Sequence, residues 1–321
     1  MKSLILILAL AAMAVANALP ADMEDDADME STSQPEKMVL DLEELGIEFF
    51  PNGTVKQSSI EELVRIYYMM KDADDYAGNK TDAHIEEGDE EEEEEDELPE
   101  DRAKRTIFGS DNRRRITSYC PLALVSNGCT ALFIGPNHAL TSGKCVYDRS
   151  RRRFRTGLTL RRERNCHRLG TYFTATRLFT VNGYASNGLM EYDYGLIVTS
   201  QRSSCWAGFG YHDPWDNRGL DLLSYTTISS CWYDIPYISS CSYSSTIRNG
   251  LLIRHRCDTT SSVIGAPVTS VDRGTRRVYG VNSYYGSQYN YAARIDRAKF
   301  YRIVDWMQQT GYNPSITLYG K

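Results

Sequence analysis

The chain has 321 residues, 36 basic and 43 acidic, with a formal net charge of −7. That figure hides a segregation: residues 1–105 carry 30 Asp+Glu against 9 Lys+Arg, net −21, and residues 106–321 carry 13 against 27, net +14. Two oppositely charged parts in tandem exclude a uniformly acidic or basic domain, and no segment is long enough to span a bilayer as an apolar helix.

The first eighteen residues join Lys2 to an apolar run from Leu4 to Val15 and the small-residue pattern Ala16-Asn17-Ala18. They predict a signal peptide (1–18) cut after Ala18, and so a secreted, extracellular product. Eight cysteines suit that compartment, where they pair as disulfides. None has CxxC spacing, so neither a metal nor a cofactor is expected.

Residues 19–37 and 72–101, with an almost unbroken acid run from Glu86 to Glu97, cannot bury enough apolar surface to fold alone and are expected to be disordered. Between them Ser59-Ile60-Glu61-Glu62 forms a capping box, followed by Leu63, Val64, Tyr67 and Met70 at helical spacing, which predicts one short helix near 59–71. Asn52-Gly53-Thr54 and Asn79-Lys80-Thr81 are glycosylation acceptor patterns, at Asn52 and Asn79. The acidic part ends in Arg102-Ala103-Lys104-Arg105, the pattern of furin-like proprotein convertases, where flexibility and a change of charge sign coincide. Residues 19–105 are thus expected to be a largely disordered prosegment removed by a convertase after Arg105, and 106–321 the mature domain.

That domain reads as all-β, with short apolar runs separated by Gly, Asn, Asp and Ser turns. Leu122 to Val125, Ala131 to Ile134, His138 to Thr141, Leu196 to Val198 and Val278 to Ser283 are the clearest strands, with a turn at Gly135-Pro136-Asn137. Asp296 caps a predicted helix carrying Phe300, Ile303, Val304 and Met307 on one face, ended by Gly311 and Pro314.

Several islands recur in a familiar order: Lys104-Arg105-Thr106-Ile107-Phe108-Gly109, Gly128-Cys129-Thr130, Glu191-Tyr192-Asp193-Tyr194-Gly195-Leu196, Arg256-Cys257-Asp258 with Gly265, and Ala293-Arg294-Ile295 before the last helix. Together they resemble the secreted serine protease 23 and 35 branch of trypsin-like proteases. The resemblance implies two six-stranded β-barrels, a cleft between them and a closing C-terminal helix. It also assigns the catalytic positions. The base falls on Lys144 in Thr141-Ser142-Gly143-Lys144-Cys145, the orienting carboxylate on Asp193, and the nucleophile on Ile264 in Ser262-Val263-Ile264-Gly265-Ala266-Pro267.

Acyl transfer on this fold needs a hydroxyl, an imidazole and a carboxylate. Ile264 has no nucleophilic atom, and loss of the nucleophile alone removes on the order of a millionfold in turnover. Val263 likewise stands where the resemblance implies an acid that would pair with a freed N-terminus. No catalytic residue is therefore expected, and Lys144 is expected to hold its ammonium against Asp193 as an ion pair. A lysine base acting on Ser261 or Ser262 would have to be neutral, which a neighbouring Asp193 disfavours. His138 matches a non-catalytic histidine of the branch.

The resemblance also implies the disulfides Cys129–Cys145 and Cys241–Cys257, and leaves three pairings open for Cys120, Cys166, Cys205 and Cys231. Three arginine runs mark the basic domain: Arg113-Arg114-Arg115, Arg149 to Arg155 including Arg151, Arg152, Arg153 and Arg155, and Arg161-Arg162 with Arg164. They make an extracellular polyanion such as a sulfated polysaccharide a candidate partner, and secretion argues against nucleic acid. Nineteen tyrosines after residue 105 are expected to serve mostly in strand packing. The resulting expectation is a secreted, inactive protease homologue that binds a protein or polyanion. A hydrolase with residual activity and a basic, tyrosine-rich matrix or coat protein are the alternatives. N-terminal sequencing of the secreted material is expected to give a chain beginning at Thr106; starts only well before it would count against processing at Arg105.

Overall fold

The computed structural model describes residues 41–78, 107–117, 119–163, 170–212, 219–226, 235–259, 263–272 and 274–314. The predicted cleavages after Ala18 and Arg105, the acid run 86–97, Asn79, Arg164, Cys166, Cys231, Ser261 and Ser262 lie outside the described residues. A 3-10 turn at Leu42–Glu44 opens onto β1 (Gly46–Phe49), β2 (Val55–Gln57) and helix α1 (Ile60–Gly78). The first part of the basic domain contains β3 (Arg114–Arg115), β4 (Leu122–Val125), β5 (Thr130–Gly135) and β6 (His138–Thr141), then a one-turn helix α2 (Gly143–Val146). Next come the small hairpin β7 (Tyr147–Asp148) and β8 (Arg153–Phe154), and the longer strands β9 (Thr159–Arg162), β10 (Thr171–Val181) and β11 (Gly195–Thr199). The second part contains β12 (Gly208–Phe209), β13 (Gly219–Thr226), β14 (Ile235–Ile247), β15 (Leu252–His255), β16 (Pro267–Asp272), β17 (Thr275–Tyr285) and β18 (Asn290–Arg294), closed by helix α3 (Arg297–Gln309).

The first sheet runs β11-β6-β5-β4-β9-β10 and closes on itself through β10–β11, giving a six-strand barrel. The second runs β17-β16-β13-β14-β15-β18, with β18 also paired to β17; β12 lies outside β17 and β3 on β14. Alternation along the strands explains why the barrel strands read as nearly unbroken apolar runs. In β4, Ala123 and Val125 join Phe133, Leu160, Phe173 and Ile197 in one buried cluster. Leu122 and Leu124 of the same strand face the other way, into the cluster holding Leu140, Tyr194, Tyr225, Ile303 and Trp306. Both faces are buried, so neither can be polar. Asp296 caps α3 by accepting from the Lys299 amide at 2.9 Å, as the sequence predicts.

The disulfides Cys129–Cys145 and Cys241–Cys257 are formed, and Cys120 pairs with Cys205. The last bridge resolves a choice left open by spacing. Beside it Arg162 is buried, donating to Ser203 Oγ at 2.6 Å and Ser204 Oγ at 3.2 Å.

The acidic part departs most from expectation. Residues 41–78, inside a stretch expected to be largely disordered, carry a hairpin and a 19-residue helix packed on the basic domain. Strand β1 pairs antiparallel with β10, Gly46 opposite Val181 and Phe49 opposite Leu178, on the edge of β10 that β9 occupies further back. Gly46 is required there: a Cβ would come 2.9 Å from Trp306 Nε1 and 2.8 Å from Ser58 Oγ. Helix α1 follows the capping box but buries a shifted face. Leu63 and Ile66 are buried and Ile60 is exposed, because α1 lies against α3. The helix is the one expected near 59–71, longer at its C-terminal end, while the hairpin went unread because its partner strand belongs to another part of the chain.

Candidate functional site

The predicted base and carboxylate converge through backbone geometry. Ser142 caps α2, accepting from the Lys144 amide at 3.1 Å, and its hydroxyl donates to Asp193 Oδ1 at 2.6 Å. The Lys144 amide also donates to Asp193 Oδ1, at 2.8 Å. Ser283, on β17, donates its hydroxyl to Asp193 Oδ2. Asp193 itself follows the 3-10 turn Met190–Tyr192 and has no exposed surface. Burial pushes its carboxyl above the ordinary range, while the Lys144 charge and the Ser142 and Ser283 hydroxyls pull it back.

The predicted partnership of Lys144 with Asp193 involves an aromatic ring as well. The Lys144 ammonium lies 4.1 Å from the centroid of the Tyr284 ring, and its charge acts on the Asp193 carboxyl. Both carboxylate oxygens already accept hydrogen bonds, and the lysine stem leads the charge onto an aromatic face beside them. Lys144 thus reaches Asp193 by its amide directly and by its charge at longer range. Sequence reasoning did not single out Ser142 and Ser283 as partners of Asp193, nor Tyr284 as a partner of Lys144, since only the fold brings them there.

Ile264 is half-buried against the cluster containing Cys129 and Cys145, and its carbonyl accepts from the Thr130 amide at 2.9 Å. Gly265 follows at φ +78°, where a Cβ would come 2.2 Å from Thr141 Oγ1 and 2.4 Å from the Thr130 carbonyl. The loop is locked from the other side as well. His255 Nδ1 accepts from the Cys257 amide at 3.3 Å, so Nε2 carries the proton and donates to Asn282 Oδ1 at 3.0 Å. Asn282 Nδ2 in turn donates to the Val263 carbonyl at 3.1 Å. Cys241, His255 and Cys257 lie together, but the two sulfurs are joined to each other and offer no thiolate for a metal.

His138, the other histidine weighed from sequence, is buried on β6 with Nε2 2.6 Å from Thr310 Oγ1 and its ring beside Tyr312, a packing role at the start of the C-terminal tail.

The arginine runs separate. Arg113 pairs with Asp111 at 2.6 Å and lies over Tyr237, while Arg114 and Arg115 form β3 on the second sheet. Arg151, Arg152 and Arg153 are exposed on the β7–β8 turn. Asp148 approaches Arg151 at 3.9 Å and Arg155 at 3.8 Å. Arg155 also donates from Nε to the Lys144 carbonyl at 3.1 Å, so this hairpin adjoins the Lys144 side of the site. Many of the tyrosines, Tyr194, Tyr225, Tyr279 and Tyr301 among them, are buried and serve in packing.

Comparisons with known proteins agree with this architecture. A solved glutamyl endopeptidase, in complex with MPD, superposes with a TM-score of 0.57 at 19% identity, covering 64% of this chain and 100% of that one. The fold is trypsin-like. In sequence, the glutamyl endopeptidase of Bacillus licheniformis is 27% identical over 228 residues, covering 63% of this chain and 69% of its own. A Bacillus subtilis protein named extracellular metalloprotease is 26% identical over 225 residues, covering 64% and 70%. No family model matches the chain.

Burial lowers His138 and His255 to about 4, and neither carries a charge at neutral pH. An unfolded histidine takes its proton near 6.5, so each folded ring withholds a proton between about 6.5 and 4, and stability falls as the pH drops through that window. The loss is on the order of 3 kcal/mol for each ring at the acid end. In an NMR titration both Cε1 protons are expected to stay at their neutral shifts down to about pH 5. A midpoint near 6.5 for either ring would contradict its burial.

Proposed function

We propose that the chain is a secreted, catalytically inactive serine-protease homologue of the serine protease 23 and 35 branch, acting as an extracellular binding protein. The observation that carries this reading is Ile264 at the nucleophile position, together with a carboxylate, Asp193, whose oxygens accept from Ser142, Ser283 and the Lys144 amide. On this reading the remaining chemistry does not begin an acyl transfer, because no hydroxyl stands at that position and, among the described residues, no imidazole is bonded to Asp193. The basic hairpin carrying Arg151, Arg152, Arg153 and Arg155, with Arg113 to Arg115 on the second sheet, supports a sulfated polysaccharide or an acidic protein surface as the partner. Cleavage after Ala18 and, by a proprotein convertase, after Arg105, with glycans on Asn52 and Asn79, completes the reading.

A second reading is favoured by the sequence relatives, whose names are those of proteases: a residual hydrolase using Lys144 with Ser261 or Ser262. The two are separated by a fluorophosphonate probe applied to convertase-treated protein and to a Ser261→Ala/Ser262→Ala double variant. Neither is expected to label; labelling that disappears in the double variant would establish the hydrolase. Binding is tested on heparin resin. Elution is expected above physiological ionic strength, and earlier for Arg151→Ala/Arg152→Ala/Arg153→Ala. Elution of the native protein near physiological salt, unaffected by the triple change, would remove the polyanion as partner.

A further inference from the structure

The segment 41–78 contributes more to the basic domain than a linker would. On its first turn Asp41 accepts from the Tyr192 hydroxyl and Glu44 from the Tyr194 hydroxyl, so the residues on both sides of Asp193 are held by the acidic part. Glu43 accepts from Asn187 Nδ2 at 2.9 Å. On β1, Glu48 pairs with Arg177, whose guanidinium lies 4.9 Å from the Phe50 ring centroid. On α1, Arg65 pairs with Asp305, and the Met70 carbonyl accepts from Arg297.

Helix α3 is built for this cover. Its Lys299, Arg302 and Asp305 are at most 1% exposed, although each is charged. Lys299 Nζ lies 3.9 Å from Glu44 and is bonded to Asp296, and Arg302 lies 3.6 Å from Asp305. The indole of Trp306 stacks on Phe179 and meets Tyr194 at a tilt, directly beneath Gly46. An α3 face carrying two cations, a carboxylate and a tryptophan is stable in this arrangement only while its partners cover it.

We propose that residues 41–78 remain bound after processing, so that the mature protein is a two-chain complex in which the acidic part is a permanent subunit. The proposal rests on cleavage at Arg105 and concerns the fate of the severed chain. Among the described residues, contacts of 41–78 fall on Tyr192, Tyr194, Asn187, Arg177 and α3.

The full secreted chain is cut with furin, and in parallel a version with an inserted site-specific protease sequence between residues 79 and 105 is cut with the matching protease. Each is then passed over size exclusion in 0.15 M salt. Co-elution of the acidic chain with 106–321 is expected in both, and separation of the inserted-site version would overturn the proposal. If furin leaves the native chain whole while the inserted-site version co-elutes, retention stands and only the processing assignment fails. Arg65 is half-exposed, so Arg65→Ala is expected to fold. It should speed dissociation of the cut acidic chain at least tenfold in a dilution assay, with Arg65→Lys close to native; an unchanged rate would refute the seam's part in retention.

Discussion

A carboxylate with no exposed surface must be supplied with donors by the protein, and Asp193 sets that requirement at the junction of both sheets. Its donors come from the cap of α2, from the Lys144 amide of the same turn and from β17. Satisfying it therefore fixes the relation between the α2 turn, the Tyr192–Tyr194 stretch and the second sheet. Removing any one donor would leave part of a buried charge unmatched, which is costlier than losing an exposed hydrogen bond. This explains how the geometry around Asp193 persists with lysine at the base position and isoleucine at the nucleophile position. The carboxylate is a structural keystone whether or not any proton moves.

The same economy governs the seam between the acidic and basic parts. Burial pushes the Glu44 carboxyl up to about 7, opposed first by Lys299. The cost of burying these groups is offset by mutual pairing, so neither side of the seam is well described alone. Whole-chain charge segregation, which suggests two independent parts, is in three dimensions a set of specific matches: Glu44 with Lys299, Glu48 with Arg177, Asp305 with Arg65.

Much of the barrel was legible because its information is local. The runs at Leu122, Ala131, His138 and Leu196 are strands since both of their faces are buried, and Gly135-Pro136-Asn137 turns between two of them. The positions of Lys144, Asp193 and Ile264 came from motif order. What pairs with them did not, because Ser283 and Tyr284 are remote in sequence from Asp193 and Lys144, and nothing in a serine or a tyrosine marks it as a donor to a particular acid. The Cys120–Cys205 bridge was illegible for a related reason: it spans 85 residues, and spacing does not encode such a distance. Strand β1 was the hardest to read, since Gly-Ile-Glu-Phe becomes a strand only when the free edge of β10 is available.

That edge has a consequence beyond stability. Past β9, the second half of β10 would present unpaired amides and carbonyls to solvent, flanked by Phe179 and Leu178, which is a template for joining strands from different molecules. Strand β1 occupies that edge, and the outer strand β2 is only three residues long, exposed, and carries Lys56. A short, charged final strand offers little for another sheet to extend. The hairpin thus converts an adhesive rim into a solvated one.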